Sequence, residues 1–274
     1  MEITFKDLVA ACPAAMAPNT EIFNLIKPRI DVALAPFLAH RGLMERLDSA
    51  EDNLSDPDHE RLCALQRSIK TFVCTLAFYT DIPQLDLVLT PTGFGVVSNA
   101  NVAPASADRV RELRVQLRRQ FQKKLDEILD LMRPLVSLSD TPYFQTLFWK
   151  AGHVRGFGVA DPTRDDLIER IPDIEDAANH ICRHLSPELY AALLRAEASD
   201  SASPSQETLI VMWRQATVAF CRHDGSWEDC IAAMLSFVEN SLDDFPEYRD
   251  SQTYKANHFK RYENQKDDSC FFFG

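Results

Sequence analysis

Glycine is scarce in this sequence, and the glycine-containing motifs that mark nucleotide sites or catalytic nucleophiles are absent. Only eight of the 274 residues are glycine, against about 19 in an average chain of this length. No G-x-G-x-x-G, G-x-x-x-x-G-K-S/T or G-x-S-x-G segment occurs, which argues against phosphate-binding loops and nucleophile elbows of those kinds. No other catalytic signature replaces them. We therefore expect no enzyme activity and no cofactor.

Basic residues are in the minority as well. Lys and Arg number 29 against 41 Asp and Glu, and the formal net charge is −12 at pH 7. This balance argues against a general nucleic-acid binder and against binding to anionic membranes, so that any DNA contact is expected to be local. No segment approaches the roughly 20 consecutive apolar residues of a membrane-spanning helix. With 46% apolar and 26% charged residues, the composition is typical of a soluble globular protein.

The cysteines indicate a reducing compartment. Seven are present, an odd number without a C-x-x-C pair, and several lie in apolar helical patterns, such as Cys74 after Phe72 and Val73. These features are typical of reduced thiols in a cytosolic protein. The apolar run 8–18 resembles part of a signal peptide, but Glu2 and Asp7 interrupt that pattern. We expect a cytoplasmic protein.

An internal repeat divides the chain into two halves. Residues 6–13 and 165–172 share Asp, Leu and Pro at the same spacing, and each segment is followed by a helical stretch, residues 20–47 or 173–197, and a polar loop. Further along, four positions of the first half align without gaps with four of the second: Glu60, Leu62, Arg67 and Cys74 with Glu207, Leu209, Arg214 and Cys221. The alternative is chance, because helices reuse Leu, Ala and Glu.

The apolar spacing around these positions is helical. It predicts a mainly α protein of two tandem helical-bundle units, residues 1–145 and 150–260, followed by a C-terminal tail, residues 261–274. A long helix capped by Ser106 and ended by Pro134 closes the first unit, and a shorter one capped by Ser226 closes the second.

Three segments have β character. Residues 85–98 alternate apolar and polar positions around Pro91, Thr92 and Gly93, which predicts a small hairpin inserted in the first unit. Residues 152–159 hold three of the eight glycines, so the chain is expected to be bent or closely approached there. Phe271, Phe272 and Phe273 end the chain as an apolar strand-like tag that we expect to pair with another strand, of its own chain or of a neighbour.

A concentrated basic segment is the main candidate for an interaction surface. Between residues 109 and 124 the only acid is Glu112, and seven residues are basic: Arg109, Arg111, Arg114, Arg118, Arg119, Lys123 and Lys124. The acidic counterpart is residues 224–250, with eight acids and Arg249. The basic segment is consistent with three roles: contact with DNA phosphates, contact with the acidic end of another copy, or a solvated helix face. No aromatic residues interleave with the basic ones in the manner of a single-strand binder.

Metal binding is weakly indicated. His180 and His184 lie four residues apart on a predicted helix, a spacing that zinc sites use. Cys182 projects from a different face, and no H-E-x-x-H arrangement is completed. We therefore predict structural or solvated histidines and no metal site.

Parts of the sequence resemble a family of uncharacterised proteins encoded by Bacteroidetes prophages and phages. The resemblance rests on LVLTPTGFGVVSN at 87–99, VAPAS at 102–106 with Arg109 and Val110, the duplicated helical layout, and the end of the chain from YENQK at 262–266 to Phe273 and Gly274. It implies a place among virion-assembly proteins similar to head–tail connector or head-completion proteins, which are small helical subunits that form rings between portal and tail. It implies no catalytic residue, and the doubled length departs from a simple connector.

We therefore expect a structural or assembly protein of a phage or prophage virion neck, present in the bacterial cytoplasm and in the virion. Its expected partners are other virion proteins, of the portal or of tail completion, and further copies in a ring formed on assembly. The alternatives are a cytoplasmic helical protein-interaction module and an enzyme of unrecognised type. A ring-forming subunit exposes complementary faces, whereas an enzyme has a deep polar pocket with convergent titratable groups.

Overall fold

A computed structural model describes residues 1–12, 20–38, 40–50, 53–85, 87–90, 93–96 and 106–259. This part of the chain is mainly helical, which confirms the predicted fold class at that level. In chain order the helices and strands are α1 (Phe5–Ala11), α2 (Thr20–Leu38), α3 (Arg41–Asp48), α4 (His59–Leu85), β1 (Leu87–Thr90), β2 (Gly93–Val96), α5 (Ala107–Met132), α6 (Arg164–Cys182), α7 (Pro187–Ala198), α8 (Pro204–Cys221), α9 (Trp227–Asn240), α10 (Pro246–Arg249) and α11 (Gln252–Asn257). Short 3-10 helices lie at Pro142–Phe144, Ala151–Phe157 and Leu242–Asp244.

The first core is built around the two longest helices. α4 packs along α5, and α1, α2 and α3 pack against α4. Leu65, Ile69 and Val73 of α4 and Ile128 of α5 are completely buried there. These positions recur at the three-to-four spacing of one helix face, so burial of that face holds the helices together.

The second core lies among α7 to α10 and the end of α6. Its largest fully buried side chains are Trp213 of α8, Phe245 and Tyr248. Met234 and Val238 of α9 complete the packing. The residues of this core come from the second half of the chain, beginning at Leu147. The boundaries of the two units, residues 1–145 and 150–260, and their origin by duplication stay predictions.

The two cores meet at a largely buried polar cluster that we call the junction: Arg133, Trp149, Glu197 and Arg214. The Glu197 carboxylate accepts hydrogen bonds from Trp149 Nε1 at 2.7 Å and from Arg214 Nη2 at 2.8 Å. Arg133 lies 3.6 Å from the same carboxylate, and its guanidinium stacks on the Trp149 ring, 5.0 Å from the centroid. The next residue, Ala198, is fully buried in the first core although it comes from the second half.

Local sequence signals explain how several helices begin. Thr4 and Asp7 form a capping box at α1, and Thr163 and Asp166 form the same capping box at α6, so the matched segments of the two halves start their helices identically. Ser106 caps α5 by accepting a hydrogen bond from Arg109 N, as predicted. Ser226 precedes α9, but its side chain makes no capping hydrogen bond.

Each of the two helical stretches predicted near the starts of the halves is divided. Residues 20–47 form α2 and α3, which are separated around His40, and residues 173–197 belong to α6 and α7, which are separated around Ser186. Ser186 caps α7 with its hydroxyl and is followed by Pro187 at the first helical position, where proline is well tolerated. Pro172 lies inside α6 and does not end it.

Strands β1 and β2 pair antiparallel at the position of the predicted hairpin. Leu87 lies opposite Val96, and Thr90 lies opposite Gly93. Residues 91–92, which join the strands, and 97–105, which follow them, lie outside the described residues.

The β character assigned to residues 152–159 is wrong, because this segment contains the 3-10 helix Ala151–Phe157. Its glycines have packing and backbone roles instead. A Cβ on Gly156 would lie 2.9 Å from Val218 Cγ2, so only glycine allows α8 to approach this closely. Gly158 adopts a φ of +91° and ends the 3-10 helix in the left-handed region. The expectation that the chain is bent or closely approached at residues 152–159 is therefore confirmed.

None of the helices in the described ranges combines the length and the apolar character needed to cross a membrane. The C-terminal tail, with Phe271, Phe272 and Phe273, lies outside the residues that the structure describes, and its predicted strand pairing is untested.

Candidate interaction surface

All seven residues of the basic segment lie on α5, which is 26 residues long. We call these residues the basic face. α5 is amphipathic: Leu117, Ile128 and Leu129 are buried against α4 and its neighbours, whereas Arg109, Arg111 and Lys123 are exposed. The position of the basic face follows from this division, because charged side chains are excluded from the buried stripe.

Two arginines of the basic face contact the second half of the chain. Arg118 Nη2 lies 2.8 Å from Asp165 Oδ1 in the first turn of α6, and Arg119 Nη1 lies 3.7 Å from Asp161 Oδ2. The Arg118 pair is a hydrogen-bonded ion pair. The Arg119 pair is long, and both of its side chains are more than half exposed, so water and salt compete effectively with it.

Three further members of the basic face have partners within the first half. Arg111 pairs with Asp108 at 3.0 Å, and Lys124 pairs with Glu127 at 2.7 Å. The Arg114 guanidinium lies over the Tyr79 ring, 5.1 Å from its centroid, in a cation–π contact. In the described part of the chain, Arg109 and Lys123 have no ion-pair partner. The sequence showed where the positive charge is concentrated. It could not show which of these residues have partners within the chain.

A cleft of about 320 Å³ lies beside the basic face, between α5, the 3-10 helix Ala151–Phe157 and the start of α6. Arg119 and Lys123 line one side of it, and Arg155 and Asp161 line another. Arg155 is exposed and was not among the predicted interaction residues. The only sequence signal near Arg155 is the glycine-containing segment 152–159, in which we expected a bend.

Two other charged residues that line the cleft neutralise each other. Arg164 Nη1 forms an ion pair with Asp126 Oδ1, and Ala151 N donates to Asp126 Oδ2 at 2.9 Å. Burial raises the pKa of Asp126 despite the opposing charge of Arg164. Because this carboxylate is already held by Arg164 and by a backbone N–H, we assign it to structure. The cleft then presents Arg119, Lys123 and Arg155 against Asp161, an excess of positive charge.

The acidic segment 224–250 ends beside a second, shallower cleft. Glu188, Glu247 and Asp250 line a space of about 390 Å³. Arg249, the basic residue of this segment, contacts Asp243 at 3.5 Å and Asp250 at 3.2 Å. Glu188 follows the C-terminal end of α6, whereas the basic cleft lies at the N-terminal end of α6.

His180 and His184 belong to an aromatic cluster. Their ring centroids lie 5.6 Å apart, and His180 also packs 5.0 Å from both Phe220 and Trp227. No group of three or more His, Cys, Asp or Glu side chains within the described ranges is arranged to hold a metal ion.

Three groups with large pKa shifts do not line the basic cleft. Burial raises the pKa of Cys12 to about 11 and that of Cys74 to about 12, so both thiols are protonated at neutral pH. Burial, together with the charges of Arg214, Lys150 and Arg133, lowers the pKa of His153 to about 2. These groups have the properties of packed interior residues, and the six cysteines that the structure describes are free thiols.

Comparison with known proteins gives one family. The model of a family of unknown function (DUF6712) matches residues 30–135 and 223–258, just over half of the chain, and the chain therefore belongs to this family. The matched residues include the whole basic face, whereas Arg155 and Asp161 lie between the two matched ranges. Neither the curated proteins nor the solved structures contain a match.

Proposed function

We propose that this member of the DUF6712 family is a structural adaptor of a phage or prophage virion neck, similar in role to a head–tail connector. In this proposal it docks on an acidic surface of another virion protein, of the portal or of tail completion. Copies of the chain assemble into a ring only on that partner. The protein is then present in the cytoplasm of the bacterial host before assembly and in the virion afterwards, and it catalyses no reaction.

The observation that carries the proposal is the arrangement of Arg119, Lys123 and Arg155 around one cleft. These cations come from α5 and from the 3-10 helix Ala151–Phe157, so they surround a concave surface rather than a single helix edge. Within the described residues their only opposing ion-pair partner is Asp161, at 3.7 Å from Arg119. A partner carboxylate can replace this weak contact at small cost, because both side chains are already solvated.

An acidic protein surface suits this cleft better than DNA does. A DNA-binding protein neutralises many phosphates along a groove, whereas here the exposed, weakly paired cations are few and the chain as a whole carries a charge of −12. Long-range repulsion from that charge opposes a polyanion such as DNA. A local contact with carboxylates, which also fixes the register of the two proteins, is compatible with it.

The proposal is tested by charge reversal in a phage that encodes this chain. The variant is Arg119→Glu, Lys123→Glu and Arg155→Glu in one chain. We expect it to fold normally but to abolish formation of tailed particles, counted by electron microscopy and by infectivity. Arg118 is left intact, because its reversal would place two carboxylates together at Asp165 and disturb the fold itself.

A matched control separates docking from net charge. Arg183, Arg195 and Lys255 are exposed cations of the second half, and their joint reversal to Glu changes the charge by the same amount away from the cleft. The control is expected to assemble as the wild type does. Normal assembly of the cleft variant, or absence of the protein from purified virions in mass spectrometry, contradicts the proposal and favours a host interaction module.

A further inference from the structure

The three glycines of segment 152–159 differ in why a side chain is absent. Gly156 lies too close to Val218 for a Cβ, and Gly158 has a positive φ. Gly152 has neither reason, because a Cβ at this position would meet no atom within 4 Å and its φ is not positive. Within the part of the chain that the structure describes, no contact excludes a side chain at Gly152.

A glycine without such a reason lowers the stability of the fold. Glycine loses more backbone entropy on folding than any other residue, so alanine at a compatible position is stabilising. The chain uses glycine sparingly, with eight in 274 residues. Another use of glycine is to let a ligand or a second backbone approach the main chain closely. For Gly152 we infer such an approach from outside the described chain.

The position of Gly152 indicates where the approaching group lies. Gly152 is exposed and lines the basic cleft. The two residues before it are held in place, because Ala151 N donates to Asp126 Oδ2 at 2.9 Å and Lys150 Nζ lies 3.0 Å from Asp130 Oδ2. The cleft therefore has a short stretch of bare, anchored backbone beside its cations.

The spacing of the cations suits an extended peptide segment. Arg119 and Lys123 are four residues apart on α5, which corresponds to about 6 Å along the helix. In an extended chain, alternate side chains lie on the same side, about 6.7 Å apart. Two carboxylates on alternate residues of a segment that runs along α5 can therefore reach both cations. Arg155, on another side of the cleft, is available to a third.

We propose that the basic cleft binds an extended acidic segment of a partner protein, and that the main chain of this segment lies against Gly152. The absence of a side chain at Gly152 is then a requirement of docking and not of folding. This inference rests on the proposed function, in which the cleft takes carboxylates of a partner, and it specifies how the partner presents them.

Gly152→Gln in the full chain tests the proposal, because it places a neutral side chain in the space that the segment needs. The probe is a fluorescein-labelled hexapeptide of alternating glutamate and threonine, and its binding is measured by fluorescence anisotropy at low salt. We expect Gly152→Gln to weaken binding about tenfold. The salt dependence of binding should stay that of the wild type, because no charge has changed.

Two further variants separate docking from folding. Gly225→Gln is the matched control, since Gly225 is exposed, a Cβ there would also meet no atom within 4 Å, and it does not line the cleft. It is expected to bind the peptide as the wild type does. Gly152→Ala is expected to raise the melting temperature by about 2 °C and yet to weaken peptide binding, a combination that a purely structural role does not produce.

The charge-reversal variant Arg119→Glu, Lys123→Glu and Arg155→Glu distinguishes this inference from the proposed function. It is expected to abolish peptide binding. If it does so while Gly152→Gln and Gly225→Gln bind equally well, the cleft takes carboxylates without contact at Gly152, and this inference alone is overturned. A wild type that does not bind the peptide overturns the inference as well. Peptide binding that survives the reversal places the acidic ligand elsewhere and also contradicts the docking role of the cleft.

Discussion

At the scale of single residues, Glu197 contacts the three other side chains of the junction. Its carboxylate is mostly buried and accepts hydrogen bonds from Trp149 and Arg214, while Arg133 lies close by. Arg133 itself is held by Asp200 at 2.9 Å as well. A buried ion pair contributes little net stability when intact, but the loss of one partner leaves the other charge buried without compensation.

Replacing Glu197 by Gln is therefore expected to reduce the free energy of unfolding by about 3 kcal/mol. The side-chain shape is kept, so the loss comes from the unpaired guanidinium of Arg214. Urea unfolding followed by circular dichroism measures it. Glu175→Gln, at an exposed position of α6, is the control and should change stability by less than about 0.5 kcal/mol; equal losses in both variants would contradict the assignment.

The contribution of Glu197 also depends on pH, and its sign follows from its pKa. Burial acts to raise the pKa, but the hydrogen bond from Trp149 and the charge of Arg214 lower it below the ordinary 4.5 overall. A carboxyl group whose pKa is lowered in the folded state stabilises the fold. Its contribution is complete above the ordinary pKa and is lost as the pH falls through the pKa of the folded state. The stability difference between wild type and Glu197→Gln should thus be largest at pH 7 and shrink below pH 4.5.

The sequence pattern identified Arg214 without identifying its role. It aligns with Arg67 in the predicted repeat, yet Arg67 is exposed and donates to Cys63 O at 3.2 Å on its own helix. Arg214 instead donates to Leu147 O at 2.9 Å and to Glu197. The two arginines share a helix position but not an environment, because the partners of Arg214 come from other segments of the chain, whereas the partner of Arg67 lies one turn away on its own helix.

At the scale of elements, local signals predicted only part of what local interactions determine. The cap of α5 at Ser106 and its end before Pro134 depend on side chains within a few residues, and both are found. The breaks at His40 and Ser186 and the 3-10 helix at Ala151–Phe157 were missed. In the last of these, Gly156 approaches Val218 of α8 closely, a contact that no short-range pattern encodes.

The hairpin gives the prediction at this scale. Deletion of residues 86–98 with a short Gly-Ser link is expected to leave the helical circular dichroism and a cooperative melting transition largely intact. The reason is that the helices of both cores lie outside the deleted segment. In addition, the second half has no corresponding hairpin, because Cys221 is followed almost directly by α9. Far-ultraviolet circular dichroism during heating measures the result; a globally unfolded deletion variant would place the hairpin in the core.

At the scale of the whole molecule, polar contacts between α5 and α6 connect the halves. Arg164 is buried and pairs with Asp126, and the buried Gln122 donates to Asp165 at 2.9 Å and accepts from Arg164 N at 3.2 Å. The sequence predicted a surface at this part of α5. It could not show that Arg118 is used inside the molecule, because the pairing depends on how α6 lies against α5.

Replacing Arg164 by Met is expected to cost about 3 kcal/mol at pH 7, since Asp126 stays buried and charged without its partner. Burial already raises the pKa of Asp126 in the wild type, and removal of Arg164 raises it further. Since a carboxyl group with a raised folded-state pKa stabilises the fold more when protonated, the variant should recover part of the loss as the pH is lowered.

Calorimetry at pH 7 and pH 5 measures this prediction, with Arg119→Met as the control. Arg119 forms a long, solvated pair with Asp161, and its loss should cost less than about 1 kcal/mol at either pH. A loss in Arg164→Met that is the same at both pH values would show that packing of the Arg164 stem, rather than the uncompensated carboxylate, is responsible.

The burial of Ala198 in the first core has a consequence for synthesis on the ribosome. The core formed by α1 to α5 is completed by Ala198 and closed by the Leu138 N to Ala198 O hydrogen bond of 3.1 Å. When Trp149 emerges from the exit tunnel, about 50 residues remain to be translated before Ala198 follows, a delay of a few seconds at ~5–20 residues per second. During that interval the first core lacks the side chain of Ala198 and the Leu138–Ala198 hydrogen bond, and it is completed only after synthesis of the second half has begun.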